Sequence, residues 1–323
     1  MQASVNRVRR LIYVTTRDHA YTFQAWPALL APTGIEVQRF CYEQWLPAAR
    51  TPVGTYVLTD FDRLSVSELQ VAGELFQTLV AAGMTVLNDP RQFRPRAFLL
   101  KQLQHSGINT FGCHLPAAGE WPDRFPVFLR TLAGHRGVLS ELLHDGTACQ
   151  QALEAALAQG FTLSDLAFIT FAATPSATGA FQKHAAYRIG DRIVRAVTVN
   201  QRHWMAKVGE LGVASEAQYR EELTEMDHYP HAAFVHRVFD AAGSTFGRLD
   251  FGLTDAGPQA YEINTNPHMG SGAPDELMHP NADRSATMQR IRRDLIEAFG
   301  AQVPPHPRGW IRLRDQRRPV PRV

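Results

Sequence analysis

The stretch that decides the reading is Arg248-Leu-Asp-Phe-Gly-Leu-Thr-Asp-Ala-Gly-Pro-Gln-Ala-Tyr-Glu-Ile-Asn-Thr-Asn-Pro267. Asp-x-Gly-Pro turn chemistry within residues 254–258 separates two short β-rich runs and predicts a hairpin. Side chains alternate along a strand, so Arg248 and Asp250 share one face. On the returning strand Glu262 and Asn264 share a face, with Tyr261 and Ile263 on the other. If the two faces coincide, the hairpin gathers two carboxylates, an amide oxygen and a guanidinium at one spot. An all-oxygen set of this kind suits Mg²⁺, which usually completes its shell with waters and substrate phosphates. The adjacent arginine can neutralise a phosphoryl group or an oxyanion. The same spacing also fits an ordinary hairpin with one solvated polar face. What favours a site is the polar, Gly-rich exit Asn264-Thr-Asn-Pro-His-Met-Gly-Ser-Gly272, where backbone N–H groups can approach a ligand.

At 323 residues and 36.1 kDa the chain can bury a substantial core and is expected to comprise two or three subdomains. A formal net charge of +2 with 20% charged residues implies no polyelectrolyte partner. Three widely spaced cysteines (Cys41, Cys113, Cys149) read as free thiols of a reducing compartment, with neither a disulfide framework nor a zinc pattern. The apolar run at residues 11–14 is too short for a signal peptide, and no run approaches a membrane span. The expectation is a soluble cytoplasmic protein.

Residues 11–14, 35–40, 55–59 and 85–87 read as short strands, with a helix over 66–82 ended by Gly83; this alternation predicts a small parallel sheet with covering helices. Asn88-Asp-Pro90 is a stop signal, and a basic amphipathic helix follows over 95–107. Residues 125–130 form an apolar strand ending in Arg130, 147–159 a helix, 167–172 a buried strand, and 187–194 a hairpin turning at Gly190-Asp191. Helices are expected over 215–226, 231–242 and 285–299. The segment from Pro304 onward is rich in Pro and Arg and reads as a loosely ordered solvated tail.

The combination Arg-x-Asp, hairpin, Glu-Ile-Asn-Thr-x-Pro resembles the metal-binding end of the ATP-grasp ligases, of the D-alanine–D-alanine ligase and glutathione synthetase type, and the segment order is similar over roughly residues 10–300. The resemblance implies an α/β (α+β) fold with a Rossmann-like N-terminal domain over 1–90, a central subdomain over 91–195, a C-terminal subdomain with the metal site over 196–302, and a basic tail over 303–323. It implies ATP and Mg²⁺ (Mn²⁺ as an alternative) as cofactors, with Asp250, Glu262 and Asn264 as metal ligands and Arg248 beside the reacting acyl-phosphate. The 125–130 strand resembles the family's Pro-x-x-x-Lys strand, so Arg130 takes the place of the phosphate-binding lysine; Arg changes the geometry of that contact. The strand from residue 167 resembles the adenine-binding hinge, with Phe171 and Ala172 at the base, although the family's nearby glutamate is absent. Lys183 and Arg188 follow on the next strand. They are an odd number of residues apart and so face opposite sides; Lys183 is the favoured phosphate ligand. The loop 201–209, with Trp204, occupies the place of a catalytic lid; Lys207 is its expected reactive cation and Arg202 the reserve. His268, Gly270 and Ser271 are expected to border the acceptor.

The reaction so implied is ATP-dependent ligation of a carboxylate to an amine through an acyl-phosphate, with positioning and charge neutralisation carrying the rate. A kinase phosphorylating a small acceptor, a peptide-modifying ligase and a nucleotide-binding protein without chemistry remain alternatives. The expected partners are small-molecule carboxylate and amine substrates, or a peptide, with no nucleic acid and no membrane; a homodimer is left open.

Overall fold

The computed structural model describes residues 7–133, 137–176, 178–269 and 279–313. Four strands, β1 (Arg10–Thr15), β2 (Glu36–Cys41), β3 (Thr55–Leu58) and β4 (Val86–Leu87), form a parallel sheet in the order β2-β1-β3-β4. Alternation along β1 decides what covers it. Leu11 and Tyr13 pack with Trp26 and with Ile291, Leu295 and Phe299 of the helix Ala282–Gln302, whereas Ile12 and Val14 pack with Val71, Leu75 and Leu79 of the helix Val66–Ala81. The latter helix starts where the sequence says it should: Ser65 accepts from the Glu68 amide, and the Glu68 side chain returns to the Ser65 amide.

A second, antiparallel sheet has the order β5-β7-β6, from β5 (Cys113–His114), β6 (Val127–Thr131) and β7 (Leu166–Thr170). The helix Gly146–Ala158 covers one face, with Cys149, Leu153 and Ala156 against Val127, Leu129 and Phe168. The third sheet is antiparallel, in the order β9-β8-β11-β12, from β8 (Phe181–Ile189), β9 (Arg192–Arg195), β11 (Phe246–Thr254) and β12 (Gly257–Asn264), with β10 (Val199–Gln201) pairing to the start of β8. The helix Ala232–Ala242 closes its back through Phe234, Val235, Val238 and Phe239. All three cysteines are buried and unpaired. Among the described residues no helix is long and apolar enough to cross a membrane.

The Pro/Arg segment corrects an expectation. Rather than loosening from Pro304, the chain pairs His306–Pro307 with Arg7–Val8 and Trp310–Arg312 with Arg50–Pro52, burying Ile311 and Leu313 in the core beneath the first sheet. Arg308 bonds Glu36, and the Arg50 guanidinium lies over the Trp310 ring at 4.8 Å. Alternating apolar residues in a Pro-rich stretch were the overlooked signal. Residues 314–323 of the expected tail lie outside the described residues.

Asn88, which the sequence marks only as a stop, is a structural joint. It adopts a left-handed conformation (φ 66°), donates through Nδ2 to the carbonyls of Leu58 and Phe246 at 3.0 Å, and accepts through Oδ1 from the Thr245 and Phe246 amides at 2.9 Å. One buried side chain thereby fastens the parallel sheet to the start of β11. Asn88→Ala removes all four bonds and retains the strained φ, so unfolding free energy should fall by about 3 kcal/mol in urea titration. A loss below about 1 kcal/mol would mean that water or neighbours replace the joint.

Candidate active site

The hairpin β11–β12 forms as the sequence predicts, and its register brings the polar faces together. Arg248 lies opposite Asn264 and Asp250 opposite Glu262, and directly opposed residues of an antiparallel pair project to the same side. On the other flank Ala185 of β8 opposes Asp250, so Lys183, two residues away, joins that face.

Each carboxylate is held by two cations. Asp250 accepts from Arg248 Nε at 2.8 Å and Nη2 at 3.3 Å, and its other contact is Lys183 Nζ at 3.1 Å. Glu262 accepts from Arg96 Nη2 at 2.6 Å and from Arg130 Nη2 at 3.4 Å. Burial and the neighbouring Arg96 pull the Arg130 guanidinium down to about 10, against the pull of Glu262. For Arg248 burial acts in the same direction, but Asp250 and Tyr187 outweigh it and hold the group above the usual arginine range. Asn264 Oδ1 accepts the Asn266 amide at 2.8 Å.

Four of these groups, Arg130, Lys183, Asp250 and Glu262, reach one end of a cavity of about 360 Å³, whereas Arg248 does not line it and Arg96 and Asn264 line a smaller one of about 60 Å³. Arg130, Lys183, Lys207, Asp250 and Glu262 line the larger cavity at that end, and Phe111, Phe128, Ile169, Phe171, Phe181 and Trp204 make the remainder apolar. Phe171 packs on Phe181 (6.0 Å between centroids) and edge-on to Trp204 (5.7 Å), which also contacts Phe128 at 5.1 Å. Trp204 is half-buried and donates to Glu141 at 3.1 Å, so the loop 201–209 crosses the cavity mouth with Met205, Ala206 and Lys207 facing in. A flat apolar slot that widens into a cluster where cations outnumber carboxylates is complementary to an aromatic base attached to a polyanion.

The strand pairing contains an irregularity that sequence alternation misses. A bulge between Asp250 and Phe251 skips Tyr261, so Tyr261 and Glu262, expected on opposite faces, both line the cavity. The Tyr261 hydroxyl donates to the Ala172 carbonyl at 2.9 Å, tying the hairpin to the segment after β7; Phe171 is anchored there by its own amide to the Pro126 carbonyl at 2.9 Å.

Three expected residues lie elsewhere. Arg188 does not reach the cavity: strand alternation sends it to the back of the sheet, where it is buried, pairs with Asp240 at 2.5 Å and lies near the Phe239 ring. Arg202 is exposed and engages Glu210. His268 is exposed and is not part of the cavity lining, and Gly270 and Ser271 lie outside the described residues. Sequence reasoning missed Arg96 and Tyr261. Arg96 meets Glu262 across 166 residues of chain, a distance that leaves no local signal. Asn266 was also missed. It is buried, and its side chain bonds Thr15 and Asp60 at 2.9 Å, Thr22 at 2.6 Å and the Tyr13 hydroxyl, so the exit of the hairpin is moored to the first sheet.

Among the described residues no cluster of three His, Cys, Asp or Glu side chains forms. Two facing carboxylates with a nearby amide oxygen instead fit a Mg²⁺ ion that takes the rest of its shell from phosphates and water.

No protein-family model matches the chain, and no curated protein matches it in sequence. Solved structures do. The ATP-grasp ligase PsnB, complexed with minimal precursor, Mg and ADP, is 15% identical with a TM-score of 0.50, the match covering 87% of this chain and 97% of that one. D-alanine–D-alanine ligase from Bacillus anthracis is 15% identical over 91% of this chain and 99% of its own (TM-score 0.48). A RimK domain protein from Sphaerobacter thermophilus is 16% identical over 88% and 99% (TM-score 0.44). The chain has the ATP-grasp fold.

Gly252 shows how tightly the bulge is packed. A Cβ built there would lie 1.9 Å from the Tyr261 oxygen. Gly252→Ala should therefore cost about 2 kcal/mol by displacing Tyr261 from Ala172. In a Tyr261→Ala background the same change should cost almost nothing. Equal costs in both backgrounds, measured by chemical denaturation, would mean that Tyr261 is not what the glycine accommodates.

Proposed function

We propose that the protein is an ATP-dependent carboxylate–amine ligase that activates its carboxylate as an acyl-phosphate. The observation that carries this reading is the direct opposition of Asp250 and Glu262, each bracketed by cations, at the polar end of an aromatic-lined cavity. The fold and the nucleotide and metal named for PsnB agree with it. In this reading residues 1–90 form a Rossmann-like lobe, and 91–195 and 196–302 the two lobes that hold nucleotide between them.

The apolar slot beside Phe171 and Ala172 takes the adenine, with the rings of Phe171, Phe181 and Trp204 supplying its walls. Arg130, Arg96 and Lys183 take phosphate oxygens. Asp250, Glu262 and Asn264 would hold Mg²⁺, which screens charge on the phosphates when bound. Arg248 is fixed by Asp250 as a planar donor pair, oriented before any substrate arrives. It neutralises charge on the transferring phosphoryl group and then on the oxyanion formed when the amine attacks the acyl carbon. Lys207 closes over the phosphates, while Trp204 of the same loop covers the base, and together they keep water from the acyl-phosphate, whose hydrolysis would waste the cycle. His268 borders the acceptor outside the nucleotide cavity. No covalent nucleophile is needed.

The test is ADP release with Mg-ATP across pools of carboxylates and amines, followed by mass spectrometry of any adduct. A pool that releases ADP and yields a condensed product supports a ligase; ADP release with a phosphorylated acceptor and no condensation would contradict it. Lys183→Ala should weaken nucleotide binding about tenfold or more. Arg248→Lys should leave binding nearly intact and lower turnover on the order of a hundredfold, because a point charge cannot reproduce the guanidinium fork. The reverse pattern would overturn the assignment of roles.

A further inference from the structure

Asp250 fixes Arg248 by one short bond and one long one. Arg248 Nε donates to Asp250 Oδ1 at 2.8 Å, but Nη2 reaches Oδ2 only at 3.3 Å, and Lys183 Nζ shares that oxygen at 3.1 Å. A single short bond leaves the guanidinium plane free to swing. The neighbouring strand supplies a second fixed point. Tyr187 of β8 lies directly opposite Arg248, so the two side chains project to the same side, and the guanidinium donates to the Tyr187 hydroxyl. Packing holds Tyr187 in turn: it is 7% exposed, and its ring belongs to the core shared with Leu11, Tyr13, Trp26 and Phe246.

We infer that Tyr187 is a positioning residue that aims the Arg248 guanidinium without neutralising it. The inference rests on the ligase reading, in which Arg248 is the cation beside the reacting groups. Aim matters because Arg248 does not line the cavity itself but is bonded to Asp250, which does. Tyr187 is not part of that lining either, so it acts on a bound molecule through Arg248. Its chemistry differs from that of Asp250. A carboxylate orients the guanidinium but also offsets its charge. Burial pushes the Tyr187 phenol up, against the pull of Arg248, so the hydroxyl stays neutral and its oxygen accepts while the positive charge remains. One anionic and one neutral acceptor, on the two strands that flank or carry the arginine, define the direction of the fork before a substrate arrives.

The experiment measures ADP release by the full chain, with the substrates that the pools identify, for the parent, Tyr187→Phe, Arg248→Lys and the double variant. Tyr187→Phe keeps the ring and its packing but removes the acceptor. Its kcat should fall about tenfold, with KM for ATP and the calorimetric affinity for Mg-ATP within about twofold of the parent. In the Arg248→Lys background the same change should lower kcat by less than about twofold further. A readout independent of turnover is the Arg248 Nε–H signal in nitrogen-15 NMR, assigned by its loss in Arg248→Lys; it should be sharp in the parent and broadened in Tyr187→Phe. An unchanged kcat, an unbroadened signal, or an equal loss of kcat in both backgrounds overturns the inference and leaves the ligase reading standing. A parent that releases no ADP with any pool overturns both. If thermal melting shows that Tyr187→Phe does not fold, Tyr187→Leu, which also removes the hydroxyl, carries the same expectation and the same contrary results.

Discussion

The arrangement depends on two carboxylates that no apolar environment would tolerate unpaired. Asp250 is buried and Glu262 largely so, and burying a lone carboxylate is expensive enough that a chain must supply cations or lose the fold. The chain supplies them from four separate elements: the hairpin itself (Arg248), β8 (Lys183), β6 (Arg130) and the helix Arg96–His105. The electrostatic requirement of one hairpin therefore draws the second and third sheets around a common cavity. It also leaves a surplus of positive charge facing the space between them, which is what a polyanionic ligand would need.

The remaining joints hold that cavity in register with the parallel sheet. Asn88 stitches β3 to the start of β11 through main-chain groups. Asn266 carries the far end of the hairpin into a buried polar cluster with Thr15, Thr22 and Asp60. Burial alone would push the Asp60 carboxyl up, yet hydrogen bonds from His19, Thr15 and the Thr16 amide hold it below the usual carboxylate range. The cluster is thus an anchored charge. Because the Asn266 amide also fixes the Asn264 side chain, the first sheet influences how the hairpin presents its amide oxygen.

Much of this was legible in the sequence because it is written in short-range chemistry. Turn residues and period-2 alternation give the hairpin and pair Arg248 with Asp250 and Glu262 with Asn264, and the strand register then brings both pairs to one face. The odd spacing of Lys183 and Arg188 separates the cavity cation from the one behind the sheet. The apolar spacing over 66–82 and the Gly83 stop delimit a helix. What escaped is either long-range or a departure from regularity. Arg96 has no sequence neighbour to identify it, since its partner lies on a strand far along the chain. Tyr261 escaped because a bulge breaks the alternation on which its placement was argued. The Pro/Arg segment escaped because composition outweighed pattern: the prolines pointed to a solvated tail, whereas alternating Ile311 and Leu313 point to a core-facing strand.

The most direct test of the account is a crystal structure with a non-hydrolysable ATP analogue and Mg²⁺. The account predicts the base between Phe171, Phe181 and Trp204, the phosphates on Arg96, Arg130 and Lys183, and the Asp250 and Glu262 carboxylates turned from those cations to the metal. An analogue bound elsewhere would contradict it, as would one in the cavity with the Asp250–Lys183 and Glu262–Arg96 pairs still closed.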